Sequence, residues 1–208
     1  MPAATLPLER SMTLTNSAPV LPSSQVLEDA ALAAARPEAK AVVAALLAAE
    51  QQTKKQRQQI APEALLGTWR LRFTAPKQPA YKTKQPSGKG FYLPRLAAAT
   101  LAFSRDADTA DRLTIQNQLQ VGPLKLRFTG PAKFLPKKNL LAFDFVRVQL
   151  WVGNLPLVNL SLRGKVAKDS SFAATPVGQL PFFAFFAAED DYVAARGRGG
   201  GLALWVKA

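Results

Sequence analysis

Hydrophobic positions follow one period in the first part of this chain and another in the rest. Between residues 23 and 60 there is no Gly and only one Pro, and Ala, Leu, Glu, Gln and Lys dominate, all of them strong helix formers. Ser23 or Ser24 can cap a first helix running through Leu27, Ala31 and Ala34. Pro37 suits the first turn of a second helix, where its missing N–H is not needed. In that second helix Val42, Val43, Leu46 and Leu47 form an apolar stripe, and Lys54, Lys55 and Arg57 favour its C-terminal end. The stripe predicts a helical segment, 23–60, packed on the domain that follows. Residues 1–22 carry neither period and read as a flexible lead, with no apolar block long enough for a secretory signal.

From residue 66 the period becomes two. Runs at 67–75, 97–104, 112–121, 124–134, 139–150, 156–166, 180–188, 191–197 and 201–207 alternate apolar with polar residues, with turn formers between them. In LTIQNQLQV, Leu113, Ile115, Leu119 and Val121 share one face, and Thr114, Gln116, Gln118 and Gln120 share the other. Gly122 and Pro123 link this run to LKLRF, where Leu124, Leu126 and Phe128 oppose Lys125 and Arg127. The run NLLAFDFVRVQLW changes phase between Phe145 and Val146, which predicts a bulge that would help a sheet curl. Phe182, Phe183, Phe185 and Phe186 make one strand apolar on both faces, so one face needs a cover, either the N-terminal helices or lipid.

Eight or nine short antiparallel strands in a flat sheet would leave exposed edges. Closing them into a barrel removes the edges, and at eight strands the interior holds side chains or one small ligand. The prediction is therefore a mainly β fold, an antiparallel barrel over 61–208 with the helical segment beside it; a two-sheet sandwich is the alternative. The interior-facing set would be Trp69, Phe73, Phe103, Phe128, Phe143, Phe145, Phe183, Phe185 and Trp205, which suits a long, greasy guest.

Charge adds a partner. The chain has 27 Lys and Arg against 14 Asp and Glu, a net +13. Residues 61–208 hold 21 of the bases and 9 of the acids, so nearly all of the excess sits on the strand domain. Loop lysines at Lys82, Lys84 and Lys89 and at Lys133, Lys137 and Lys138 would meet an anionic membrane surface, where each adds about 1 kcal/mol. Nucleic acid ranks below lipid, because the bases are scattered along alternating strand faces.

Composition also excludes chemistry. With no Cys and no His the chain has no thiolate nucleophile, no Ser-His-Asp triad and no thiolate or imidazole zinc site. Asp106, Asp108 and Asp111 lack the Gly and Glu of a calcium loop. Glu189, Asp190 and Asp191 could work as paired carboxylates, but a hairpin turn closed by salt bridges to Arg196 or Arg198 is the preferred reading. RGRGGG at 196–201 is read as a tight strand connection rather than a phosphate nest or an RNA-binding tail. No enzyme activity and no metal are expected.

Gly67-Thr68-Trp69 is similar to the lipocalin signature, in which the indole seals one end of the barrel beneath a cation from the last strands; Arg196, Arg198 or Lys207 could supply it. The segments LLGTWRLRFTAP (65–76), GKGFYLP (88–94), LKLRFTGPAKFLPKKNLLAFDF (124–145) and the tail AARGRGGGLALWV together resemble the plastid lipid-associated proteins, or fibrillins, of plants, algae and cyanobacteria. The resemblance spans roughly residues 60–208. It implies a lipocalin-like barrel that binds or stabilises carotenoids, quinones and other isoprenoid lipids, with no cofactor beyond such a bound lipid. It also implies a place peripheral to the thylakoid membrane or in the cytoplasm of a cyanobacterium, or alternatively at the plastoglobules, thylakoids or stroma of a plastid. The family's acidic position maps onto Asp190 or Asp191, and Gly67, Trp69, Arg196, Arg198, Gly199 and Gly200 stand at the other motif positions. A scaffold that docks a prenyl-lipid biosynthetic enzyme through the aromatic strand is the alternative role.

Overall fold

A computed structural model describes residues 22–75, 90–94, 96–106, 112–162 and 169–208, without the side chains of 169–171. Lys82, Lys84, Lys89, Asp108 and Asp111 lie outside the described residues, as do residues 1–21 of the lead.

Eleven strands form one antiparallel sheet: β1 (Gly67–Ala75), β2 (Phe91–Tyr92), β3 (Ala97–Arg105), β4 (Leu113–Val121), β5 (Leu124–Leu135), β6 (Leu140–Phe143), β7 (Arg147–Val152), β8 (Leu155–Ser161), β9 (Phe182–Ala188), β10 (Tyr192–Gly197) and β11 (Leu202–Lys207). Neighbours run in the order β4, β3, β1, β11, β10, β9, β6, β5, and β5 pairs back onto β4. That closure makes an eight-stranded barrel, the architecture the alternating runs predict. β2 adds to β1, and β7 and β8 continue the sheet beyond β5.

The run at 139–150 is two strands, β6 and β7, that follow one another along β5, and the pairing shifts by one residue between them, the bulge that the phase change predicts. Along β5, Leu124–Thr129 pairs with β7, whereas Ala132–Leu135 pairs with β6. The chain between β6 and β7 stays alongside β5 and comes closest at Gly130: Asp144 N–H donates to the Pro131 carbonyl (3.1 Å) and Val146 N–H to the Thr129 carbonyl (2.9 Å). A Cβ on Gly130 would stand 1.8 Å from the Asp144 oxygen, so only glycine fits the fork. The phase change seen in the sequence is thus the point where one strand leaves the barrel for a flap.

Inside the barrel, Trp69, Leu101, Phe103, Ile115, Leu141, Phe185, Val193 and Trp205 form the centre of one buried cluster. A second cluster lies on the outer face of β1, β9, β10 and β11, beneath α1 (Ser23–Leu32) and α2 (Ala39–Gln56). Val42, Val43 and Leu46 are buried there as the stripe predicts, with Leu27, Ala30 and Ala31 from α1. Phe182 and Phe186 point outward from β9. Phe186 is covered by the helices, and Phe182 packs beside Phe172 of α3 (Asp169–Ala174), so protein covers both faces of that strand.

The helix N-termini differ from expectation. Pro22, not a serine, occupies the α1 cap, and no side chain caps either long helix. Pro37 precedes α2 and its carbonyl accepts a hydrogen bond from Tyr92 Oη at 3.0 Å. The helices are held by contacts to strands instead. Arg196 of β10 reaches the Glu50 carboxylate with both Nε (2.9 Å) and Nη2, and Lys54 reaches it from the next turn at 2.7 Å. Thr53 Oγ1 donates to the Phe186 carbonyl at 2.7 Å. At the exit of α2, Asn139 accepts from Ile60 N–H (2.9 Å) and donates to the Gln58 carbonyl (2.7 Å), which fixes the linker that enters the barrel.

Candidate functional site

The flap is built from alternating cross-strand rows. At its tip Val121 stands opposite Leu124, Leu124 opposite Val152, and Val152 opposite Leu155. Two residues further in, Leu119, Leu126, Leu150 and Val158 align; two further again come Phe128, Val148 and Leu160, with Asn117 as the one polar member. The intervening rows are polar: Gln120, Lys125 and Trp151, then Gln118, Arg127, Gln149 and Asn159. Because side chains alternate across a sheet, one face of the flap is apolar and the other polar and basic.

The apolar face is the same face that lines the barrel. Leu113 and Ile115 of β4 and Ala132 of β5 point inward, and the same parity carries Leu119, Leu124 and Phe128. Ring contacts mark the passage. Trp205 meets Phe183 (5.5 Å between centroids), Phe183 meets Phe143 (5.2 Å), Phe143 meets Phe145 (5.1 Å), and Phe145 meets Phe128 (5.5 Å). A ladder of aromatic rings leads from the packed centre out onto the open sheet.

At the open end burial stops. Leu124, Leu155 and Leu160 are 46%, 63% and 58% exposed. Among the described residues nothing covers this face. On its back Arg127 donates to Gln118 Oε1 from Nε and Nη2 (3.1 and 2.9 Å), and both Arg127 and Lys125 lie over the Trp151 ring, at 4.9 and 5.9 Å. Residues 112–162 carry seven bases and one acid, Asp144.

The sequence-predicted interior set divides in three. Trp69, Phe103, Phe143, Phe185 and Trp205 are buried, at 1–6% exposure, and pack in one cluster that fills the centre of the barrel. Phe128, Phe145 and Phe183 are half-buried and join the barrel centre to the flap through their ring contacts. Phe73 is a correction. A bulge between Leu71 and Phe73 reverses its side, so it lies under the helices and meets Tyr92 edge-on at 5.0 Å.

The basic set is also redistributed. Lys133 is engaged within the fold: its Nζ donates to the Phe172, Ala173 and Thr175 carbonyls (3.1, 3.0 and 2.7 Å), and burial pulls its ammonium below the usual lysine range. It caps the end of α3. Lys137 and Lys138 are exposed, but they sit past the far end of β5, beside a cleft of about 430 Å³ shared with Lys54 and Arg57. Lys125 and Arg127, which the alternation puts on the polar side of their strand, are among the described residues the bases nearest the apolar tip.

The motif residues have structural partners. Trp69 Nε1 donates to the Leu65 carbonyl (2.8 Å), and of the three candidate cations Lys207 lies over its ring, at 6.0 Å. Arg196 serves Glu50 instead, and Arg198 donates to the Gly178 and Leu180 carbonyls (2.7 and 3.1 Å). The expected salt bridges from Glu189, Asp190 or Asp191 to these arginines are therefore replaced. The three acids border a cleft of about 360 Å³ with Glu28 and Tyr192. Burial, then the Glu189 and Glu28 charges, push the Tyr192 hydroxyl up to about 12. Among the described residues no three acids are grouped to hold a metal ion. Gly67 (φ +121°) and Gly200 (φ +90°) occupy conformations that favour glycine, and the Gly197–Gly201 link is the tight turn expected between β10 and β11.

A third cleft, of about 330 Å³, lies at the barrel end beneath the short 3₁₀ turn Pro62–Leu65. Arg105 and Lys133 stand on its border, and Arg105 is paired with Glu63 at 2.8 Å. A scan against protein-family models finds no match for the chain, and a search of curated proteins finds none either.

Proposed function

We propose that this chain is a non-enzymatic lipid-binding protein that works at the periphery of a membrane and binds or stabilises hydrophobic isoprenoid molecules such as carotenoids and quinones. The observation that carries the reading is the bare apolar face of β4, β5, β7 and β8, continuous with the barrel's aromatic interior and backed by Lys125 and Arg127. Full burial of a Leu side chain contributes roughly 1.5–3 kcal/mol, so Leu155 and Leu160 forgo about half of that in water. A surface held open at that cost in stability suits an oily partner. Because the barrel centre is filled, the guest would lie on the open sheet, against Phe128 and Phe145, rather than in an enclosed calyx.

The resemblance to the fibrillins supports the choice of isoprenoid lipids and of thylakoid or plastoglobule-type membranes, in a cyanobacterium or a plastid. Docking of a prenyl-lipid biosynthetic enzyme on the same face is the second reading, favoured by its open, strand-edged shape. The test is flotation of the purified chain with anionic vesicles, with and without a dissolved prenylquinone. Co-flotation, with quinone retained after gel filtration, is expected. A chain that neither floats nor retains quinone contradicts the reading.

A further inference from the structure

We propose that the β4–β5 and β7–β8 hairpin tips enter an anionic bilayer together, as one insertion platform, with Trp151 and its two stacked cations at headgroup level. This deepens the lipid-binding reading and rests on it. The two tips are joined: Gly153 N–H donates to the Pro123 carbonyl at 2.7 Å, so they move as a unit. Their end row, Val121, Leu124, Val152 and Leu155, is apolar throughout and 42–63% exposed. The turns themselves are Gly122-Pro123 and Gly153-Asn154, with φ of +55° and +59° at the glycines; Asn154 is the single polar side chain at the tip.

One residue behind the tip row stand Lys125 and Trp151, and two further Arg127, roughly 3 and 10 Å back along the strands. A tip buried by about 5–10 Å therefore brings the indole and both cations to the polar boundary, where an amphipathic ring and basic side chains are favoured. Charge complementarity selects an anionic surface over a neutral one, since Asp144 is the one acid within residues 112–162. Lys137, past the far end of β5, stays in water.

The absence of native cysteine allows single-site labelling of the whole chain. Asn154→Cys and Lys137→Cys would each carry an environment-sensitive fluorophore and be mixed with vesicles of phosphatidylglycerol and phosphatidylcholine. The expected result is a several-fold brightening and quenching by lipid-borne nitroxide at position 154, neither at 137, and at least tenfold weaker flotation of Leu155→Asp with an unchanged melting temperature. If the chain floats while the 154 probe stays in water, the platform is wrong and lipid binding stands. If it neither floats nor retains prenylquinone, both fail. Dimers that shield the 154 probe without lipid would also overturn the platform, in favour of a second copy.

Discussion

Two largely apolar sheet faces of this molecule have opposite fates. The outer face of β1, β9, β10 and β11 carries Phe73, Phe186, Leu204 and Val206, and α1 and α2 bury it; the flap carries Leu119, Leu124, Leu155 and Leu160, and no described residue does. The covered face is also latched by polar contacts, Glu50 with Arg196 and Thr53 with the Phe186 carbonyl. The bare face has its polar groups on the opposite side of the same strands, where they stiffen the flap without closing it. Apolar surface thus serves stability where the chain supplies its own cover, and the proposed lipid binding gives it a use where it does not.

Substitutions on the two faces should separate these roles. The largest loss is expected for Glu50→Ala, which leaves Arg196 largely buried without its carboxylate and should cost about 3–5 kcal/mol, read as a fall in denaturant midpoint. The same pair predicts a pH dependence. Burial raises the Glu50 carboxyl, but hydrogen bonds and charge from Arg196 and Lys54 outweigh it and hold it below its usual range. A depressed folded-state value stabilises the fold above the ordinary carboxylate range, and that contribution is lost as pH falls through the depressed value. Glu50→Gln should flatten this part of the melting-temperature profile.

A smaller loss, about 0.5–1.5 kcal/mol, is expected for Thr53→Val, which removes one buried hydrogen bond between α2 and β9. Smallest of all is Leu160→Ser on the flap, under about 1 kcal/mol in urea titration, because its side chain is 58% exposed. It should nevertheless weaken vesicle flotation. A large destabilisation by Leu160→Ser would mean that the flap is part of the core and would erase the contrast between the faces.

Much of this architecture is legible in the sequence, because period-two runs and helix formers state which side of each element is apolar. Val42, Val43 and Leu46 on α2, and Leu113 and Ile115 on β4, fall where their spacing puts them. What the pattern cannot state is what lies against an apolar face. Phe73 has the right parity for the interior until one inserted residue in β1 reverses it. The fork at Gly130 is marked on one strand by the phase change at Phe145 and Val146 and on the other by Thr-Gly-Pro, a signal of a close backbone approach, but neither says which strand leaves the barrel. The partners of Arg196 and Lys133, Glu50 and the end of α3, lie 146 and about 40 residues away, and no local rule pairs them. The flap face was readable as alternating rows, but its exposure follows from the strand leaving the barrel.

If the proposed function is right, the bare sheet face meets lipid while the helix-covered face does not. Hydrogen exchange of the full chain, with and without anionic vesicles containing a prenylquinone, tests it most directly. Slower exchange in residues 119–128 and 147–160, with unchanged exchange in α2, β10 and β11, is the predicted result. Protection confined to the helices, or none anywhere while the chain is vesicle-bound, would contradict it.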